Sequence, residues 1–224
     1  MEVIHRDDLH RGGFAGLRET RMVMDQRVFG NRAEPGTWSG LGNFVYLADA
    51  KFLPKGETHL HKHREIDVIS VIVEGRIAHE GSLEHGQEMH AGHVQAQRAG
   101  GEGFSHNEVN PDDTENRMIQ LWVLPERAGD AANYKLYEPQ EGELKRIYGG
   151  AVDQEETLDG HTLIDVGVLK PAQSISVKGP YAAYITLGEG VVDEQTVRDG
   201  DMLRGENLEF TASETTRLIV VHLA

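Results

Sequence analysis

The chain has 224 residues, 38% of them hydrophobic, enough to bury a core, so global disorder is excluded. Its formal net charge is −15, from 37 acidic against 22 basic side chains, and no basic run exceeds "HKHR"; such a surface repels phosphate backbones and argues against direct nucleic-acid binding. With no cysteines, disulfides, thiolate metal sites and cysteine nucleophiles are excluded, and any transition metal must rest on histidine and carboxylate.

The first residues, "MEVIHRDDLHRGG", are charged where a secretory signal would be apolar, and no window approaches the roughly 18 apolar residues of a membrane span. A cytoplasmic protein with no membrane partner is expected. Short β-like segments follow at residues 43–48, 66–73, 76–79, 94–97 and 117–123, then at 162–169, 182–187 and 218–223, with no long amphipathic helix among them. Turn sequences such as "VEGR", "HAGH", "AGGEG" and "RDGD" separate them. This spacing suggests an antiparallel sandwich or barrel rather than βαβ units. "LPERAGDAANYKLYEPQEGE" breaks the rhythm with polar and turn-forming residues and reads as the join between two halves, 1–135 and 136–224. A weak internal repeat supports two related barrels: a strand, a Glu-Gly turn, a strand and a second glycine recur, with Gly75 and Gly92 in one copy and Gly190 and Gly200 in the other.

Most of the histidines lie between His59 and His106. His85, His90 and His93 fall in a polar, turn-rich segment, and His79 sits at the polar end of a strand; all four read as solvated. "HLHKHREID" is different, because His59, His61 and His63 alternate, and an extended chain aims all three rings to one side. At about 3.3 Å per residue, neighbours lie roughly 6.6 Å apart and the outer pair about 13 Å apart. A metal held at about 2.1 Å can therefore take His59 with His61, or His61 with His63, but not both outer rings. "GGEGFSHNEVNPDD" supplies further donors, since His106 and Glu108 repeat the spacing of two after glycines that let the backbone turn tightly. Two antiparallel strands could then offer three nitrogens and one carboxylate, leaving exchangeable positions on the ion.

"HKHREIDVISVIVEGRIAHEGSL" and "GHVQAQRAGGEGFSHNE" together resemble the pirins, a family of two-domain cupins. The pirin pattern H-x-H-R, an acidic residue, an apolar strand to E-G, a histidine, S-L, a G-D-x-Q-like turn and A-G-x-G-x-x-H-x-E is met in order, from His61 through Asp67, Glu74, Gly75, His79, Ser82, Leu83 and Gly92 to Glu108. Two departures stand out: His93 replaces the usual Asp after Gly92, and "AGGEGFSH" is one residue longer than the pattern. The resemblance implies an all-β chain of two tandem cupin barrels, the first carrying the metal and the second lacking ligands. It places those ligands on His61, His63, His106 and Glu108, leaving His59 outside. Asp67 stands where many other cupins have a carboxylate ligand, but in pirins it lies outside the metal's coordination.

The resemblance further implies one iron and an activity like that of quercetin 2,3-dioxygenase. The donor set suits Fe(II), with Mn, Co, Ni, Cu or Zn as geometric alternatives. The partners would be O2 and a small aromatic or phenolic substrate such as a flavonol, with Glu108 as the base for its 3-hydroxyl and Val68, Ile72 and Trp122 as candidate apolar walls. In the second half His161 and His222 lie apart, each in or beside an apolar run, and make no ligand set. The alternative function is a non-catalytic iron-binding regulator acting through a protein partner. A sugar-phosphate isomerase lacks the Arg and Lys cluster it would need.

Overall fold

The computed structural model describes residues 1–83 and 86–224, so the expectation for His85 falls outside the described residues. The chain forms two compact units, residues 9–138 and residues 1–8 with 139–224. β1 (Glu2–His5) belongs to the second unit. The first unit contains β2 (Arg11–Gly12), β3 (Leu17–Met24), a one-turn helix α1 (Gln26–Phe29), β4 (Phe44–Phe52), β5 (His61–His63), β6 (Asp67–Glu74), β7 (Arg76–Gly81), β8 (Gln87–His90), β9 (Val94–Arg98), β10 (Phe104–Val109), β11 (Asn116–Val123) and β12 (Asn133–Tyr137). The second adds β13 (Glu143–Gly150), β14 (Gly160–Leu169), β15 (Ser174–Leu187), β16 (Glu189–Val192), β17 (Gln195–Arg198), β18 (Asp201–Ala212) and β19 (Thr216–Leu223).

Apolar and β-branched runs make the central strands. β6, "DVISVIVE", is buried at every position but its last, as expected of a strand covered on both faces. In the first unit a seven-stranded sheet runs β12-β9-β6-β11-β4-β3-β2, and a four-stranded sheet runs β5-β10-β7-β8. In the second, one sheet runs β13-β14-β19-β15-β18-β16-β17, with β1 beside β18. The all-β, two-barrel architecture implied by the sequence is thus the one observed.

Strand pairing makes the internal repeat explicit. β6 pairs β9 and β7 pairs β8 in the first unit; β15 pairs β18 and β16 pairs β17 in the second. β11 lies between β6 and β4, just as β19 lies between β15 and β14. The second glycine of each copy is Gly92 or Gly200, at φ 98 and 92. The first is Gly75 at φ 71, but its counterpart is Gly188 at φ 78; Gly190, expected there, lies inside β16. Only the turn position needs the left-handed backbone that glycine tolerates.

The expected join contains a strand: β12 pairs with β9 at the sheet edge, a strand too short and too polar to stand out from its loop. Residues 1–8 go with the second unit because β1 lines up antiparallel along β18, from Glu2 opposite Arg204 to His5 opposite Asp201. A single break at 135/136 does not provide for that excursion.

Candidate metal centre and its pocket

β5 and β10 run antiparallel with His61 opposite His106 and His63 opposite Phe104, which puts the three imidazoles on one face. Their close approach depends on Gly103, which has φ +76 and whose added Cβ would lie 2.5 Å from the His63 carbonyl oxygen. Nε2 of His106 is 3.0 Å from Nε2 of His61 and 3.2 Å from Nε2 of His63. Among the described residues, His61, His63 and His106 are the group whose ligand atoms all converge within 4.8 Å.

These distances fit an ion. Two ligands at about 2.1 Å from one metal lie about 3.0 Å apart at right angles and about 3.4 Å apart in a tetrahedron. The His61 Nδ1–H donates to the His59 carbonyl at 2.9 Å, which leaves Nε2 with its lone pair toward the other rings. Burial, then the neighbouring His61, lowers the pKa of His63 to about 4; burial, followed by His63, His61 and His79, lowers that of His106 to about 2. Both rings are therefore neutral at pH 7, the form that binds a metal. His106 Nδ1 is buried without a hydrogen-bond partner.

Glu108 faces the same pocket, but its carboxylate is not among the converging atoms. Oε1 accepts from Ser70 Oγ at 3.0 Å and Gln95 Nε2 at 3.2 Å; Oε2 accepts from Gln120 Nε2 at 3.1 Å. Complete burial raises its pKa to about 7, against the opposing pull of hydrogen bonds from Ser70, Gln120 and Gln95. His59 is exposed, at φ +63, with Nδ1 3.5 Å from Glu57. Asp67 is buried and accepts from Arg98 Nε at 3.1 Å.

His79 departs from expectation. It is fully buried, with Nε2 3.2 Å from Gln97 Nε2 and its ring centre 5.4 Å from that of His106. The reason is register: β7 lies between β8 and β10 and sets His79 opposite Glu108. His90, which ends β8, is exposed as expected, whereas His93, just past the turn, is half-buried, with its ring centre 5.6 Å from that of His90.

His61 and His63 of the triad, with Glu108, line a pocket of about 530 Å³ inside the first barrel. Alternate residues of three strands line it: Leu17, Glu19 and Arg21 from β3, Tyr46 and Ala50 from β4, and Met118, Gln120 and Trp122 from β11. A bulge in β3 between Arg21 and Val23 shifts the alternation, so Met24 also faces inward. Trp122 stacks on Phe29 of α1 at 6.0 Å and 12°, lies 4.4 Å from Tyr46 and meets His63 edge-on at 5.8 Å. Of the three expected apolar walls, Trp122 lines the pocket, while Val68 and Ile72 are buried in separate core clusters.

Sequence reading missed Glu19, Arg21 and Tyr46. Tyr46 Oη donates to Glu19 Oε2 at 3.1 Å; Arg21 Nε donates to Glu19 Oε1 at 2.8 Å and a terminal NH to Glu34 at 2.7 Å. The signal was the alternation of "LRETR", but charged residues at period two read as the wet face of a strand.

In the second unit, His222 Nε2 lies 2.7 Å from Asp165 Oδ2, and Arg146 Nε donates to Asp165 Oδ1 at 2.5 Å. Burial acts to raise the Asp165 pKa, but hydrogen bonds from His222 and Arg146 outweigh it and hold the carboxyl below its usual value. His161 is exposed, and no metal-type cluster occurs in this unit among the described residues.

The Pirin family profile matches residues 24–123. A Pseudomonas aeruginosa protein provisionally named quercetin 2,3-dioxygenase is 29% identical over 177 residues, covering 73% of this chain and 76% of its own. The bacterial pirin YhhW of Escherichia coli, solved in complex with nickel(II), superposes with a TM-score of 0.84 at 16% identity, over 99% of this chain and 98% of its own. Quercetin 2,3-dioxygenase from Acinetobacter baumannii gives 0.71 at 18% identity, over 99% and 85%. Among the described residues, no helix is long and apolar enough to cross a membrane.

Proposed function

We propose that the chain, whose residues 24–123 match the Pirin family profile on the half that carries the histidines, is a pirin-like metal-dependent dioxygenase cleaving a flavonol such as quercetin with O2. One observation carries this reading: three converging imidazoles, two of which, His61 and His63, line an aromatic-walled pocket of about 530 Å³, within the range of small-molecule sites. A regulator acting through a protein partner needs an exposed patch at the metal. The internal pocket favours a small ligand.

His61, His63 and His106 would hold the ion, with Glu108 as the fourth donor that the family pattern assigns. Fe(II) is our assignment; Mn, Co, Ni, Cu or Zn also suit the donors. When bound, the metal supplies Lewis acidity and one-electron chemistry toward O2. The protein's own groups then orient a flat phenol. Trp122 offers a ring face beside His63. Glu108 Oε2 accepts a single hydrogen bond, from Gln120, and so retains a lone pair for the proton of the flavonol 3-hydroxyl. A carboxylate whose pKa lies near 7 can both take and return that proton. Gln120, itself held by Trp122 Nε1 at 3.3 Å, fixes the carboxylate's orientation.

The test is metal analysis of freshly purified protein, followed by anaerobic addition of quercetin and then O2. About one iron per chain, with oxygen consumed as the flavonol absorbance is lost, is the expected result. Metal-loaded protein that neither binds quercetin nor consumes oxygen with it would overturn the proposal.

A further inference from the structure

The pocket has a second polar end. Glu19 is only 5% exposed and projects into the barrel interior from β3. Its pairing with Arg21 does not explain it, since a buried ion pair stabilises a fold little better than well-packed apolar residues of similar volume. Nor does the cluster use up its own hydrogen-bonding capacity. Among the described residues Glu19 Oε2 accepts from Tyr46, Tyr46 Oη donates to Glu19 and accepts from Arg21 yet keeps a further lone pair, and the five N–H groups of Arg21 exceed those spent on Glu19, Glu34 and Tyr46. Burial, and then the neighbouring Glu19, raises the Tyr46 pKa, so its phenol stays protonated. The wall from the metal end to this cluster is continuous and aromatic: His63 meets Trp122, Trp122 lies on Tyr46, and Tyr46 bonds Glu19.

We propose that Glu19, Tyr46 and Arg21 form a recognition site for hydroxyl groups on the substrate ring remote from the metal, so that the protein selects flavonols hydroxylated at both ends. A phenolic hydroxyl is the chemistry that fits: it donates to Glu19 Oε2 or Tyr46 Oη and accepts from Arg21. A bare phenyl ring would leave the buried carboxylate and guanidinium desolvated and unpaid by any new bond, the arrangement that rejects an analogue lacking the group. The inference rests on the flavonol reading of the same pocket and adds its specificity.

Anaerobic titration calorimetry of the iron-loaded protein with quercetin, which carries hydroxyls on the remote ring, and galangin, which has none there, tests it. Wild type should bind quercetin roughly tenfold or more tightly than galangin. Glu19→Gln should reduce that preference to within about threefold by weakening quercetin alone. Tyr46→Phe, which keeps the ring stack, should reduce it by a smaller factor, and retained metal content in both variants reports an intact barrel. Equal binding of the two flavonols by wild type, or a preference untouched in both variants, overturns the inference and leaves the dioxygenase reading standing. Failure of both flavonols to bind wild type removes the dioxygenase reading itself.

Discussion

In the first barrel, β5 and β10 set His61 opposite His106 and His63 opposite Phe104; in the second, the matching stretches of β15 and β18 set Ile175 opposite Phe210 and Val177 opposite Leu208. The same registers put Glu108 opposite His79 on β7, and Ala212 opposite Gly190 on β16. Position for position, His61, His63, His106 and Glu108 are replaced by Ile175, Val177, Phe210 and Ala212, all of which join one apolar cluster. That cluster packs the second barrel, whereas in the first the pocket-lining Leu17, Tyr46, Ala50, Met118 and Trp122 take the corresponding interior. The backbone scheme is therefore indifferent to function. At these four positions the first barrel carries three imidazoles and a carboxylate beside a cavity, and the second carries packed apolar side chains.

The largest effect should come from removing the donors. His106→Ala or His61→Ala should release the metal, with a loss of affinity beyond the roughly 10–100-fold that loss of an outer partner causes, while His59→Ala keeps it; metal analysis after dialysis reads the difference. Equal loss from all three would break the assignment. In the second barrel, Phe210→Ala should cost about 3–5 kcal/mol in urea unfolding with metal content unchanged, because a fully buried ring leaves a cavity. Gly103→Ala should cost about 1–3 kcal/mol and weaken metal binding, since it strains a positive φ and pushes β10 from His63. The smallest effect belongs to α1. Asp25 caps it by accepting the Arg27 amide at 2.9 Å and so positions Phe29 on Trp122. Asp25→Ala should cost about 1 kcal/mol.

That cap has a pH signature. The Arg27 side chain, chiefly, lowers the Asp25 pKa to about 2. A carboxyl depressed on folding stabilises fully above its unfolded value near 3.9, and this contribution is lost as pH falls toward 2. The difference between wild type and Asp25→Ala should therefore shrink between about pH 4 and pH 2 in acid unfolding curves.

The convergence of the three imidazoles was legible because alternation in an extended chain is a local rule: His61 with His63, and His106 with Glu108, declare a shared face without knowledge of the partner strand. Apolar strands such as β6 and β11 declared themselves in the same way. Glu19 and Arg21 obey the same alternation, yet which face of β3 turns inward is fixed by β4, nearly thirty residues on, so the charges read as solvated. His79 was hidden for the same reason, its burial being set by β8 and β10. The repeat places a strand after Gly200, but the length of β18 was hidden by its own "RGEN", where Asn207 adopts φ 56 and the pairing with β15 slips between Val177 and Pro180, so that its continuation to Ala212 looks like a turn.

The placement of β1 bears on how the chain is made. Glu2 on β1 meets Arg204 on β18 across a separation of 202 residues, so β1 must wait for a partner strand synthesised that much later. At roughly 5–20 residues per second, that wait is about 10–40 s, time in which residues 9–138 can complete their barrel while the leading strand remains unpaired. Translation order thus makes the module with the histidines independent of the one that follows. It makes the later module depend on a segment synthesised before either.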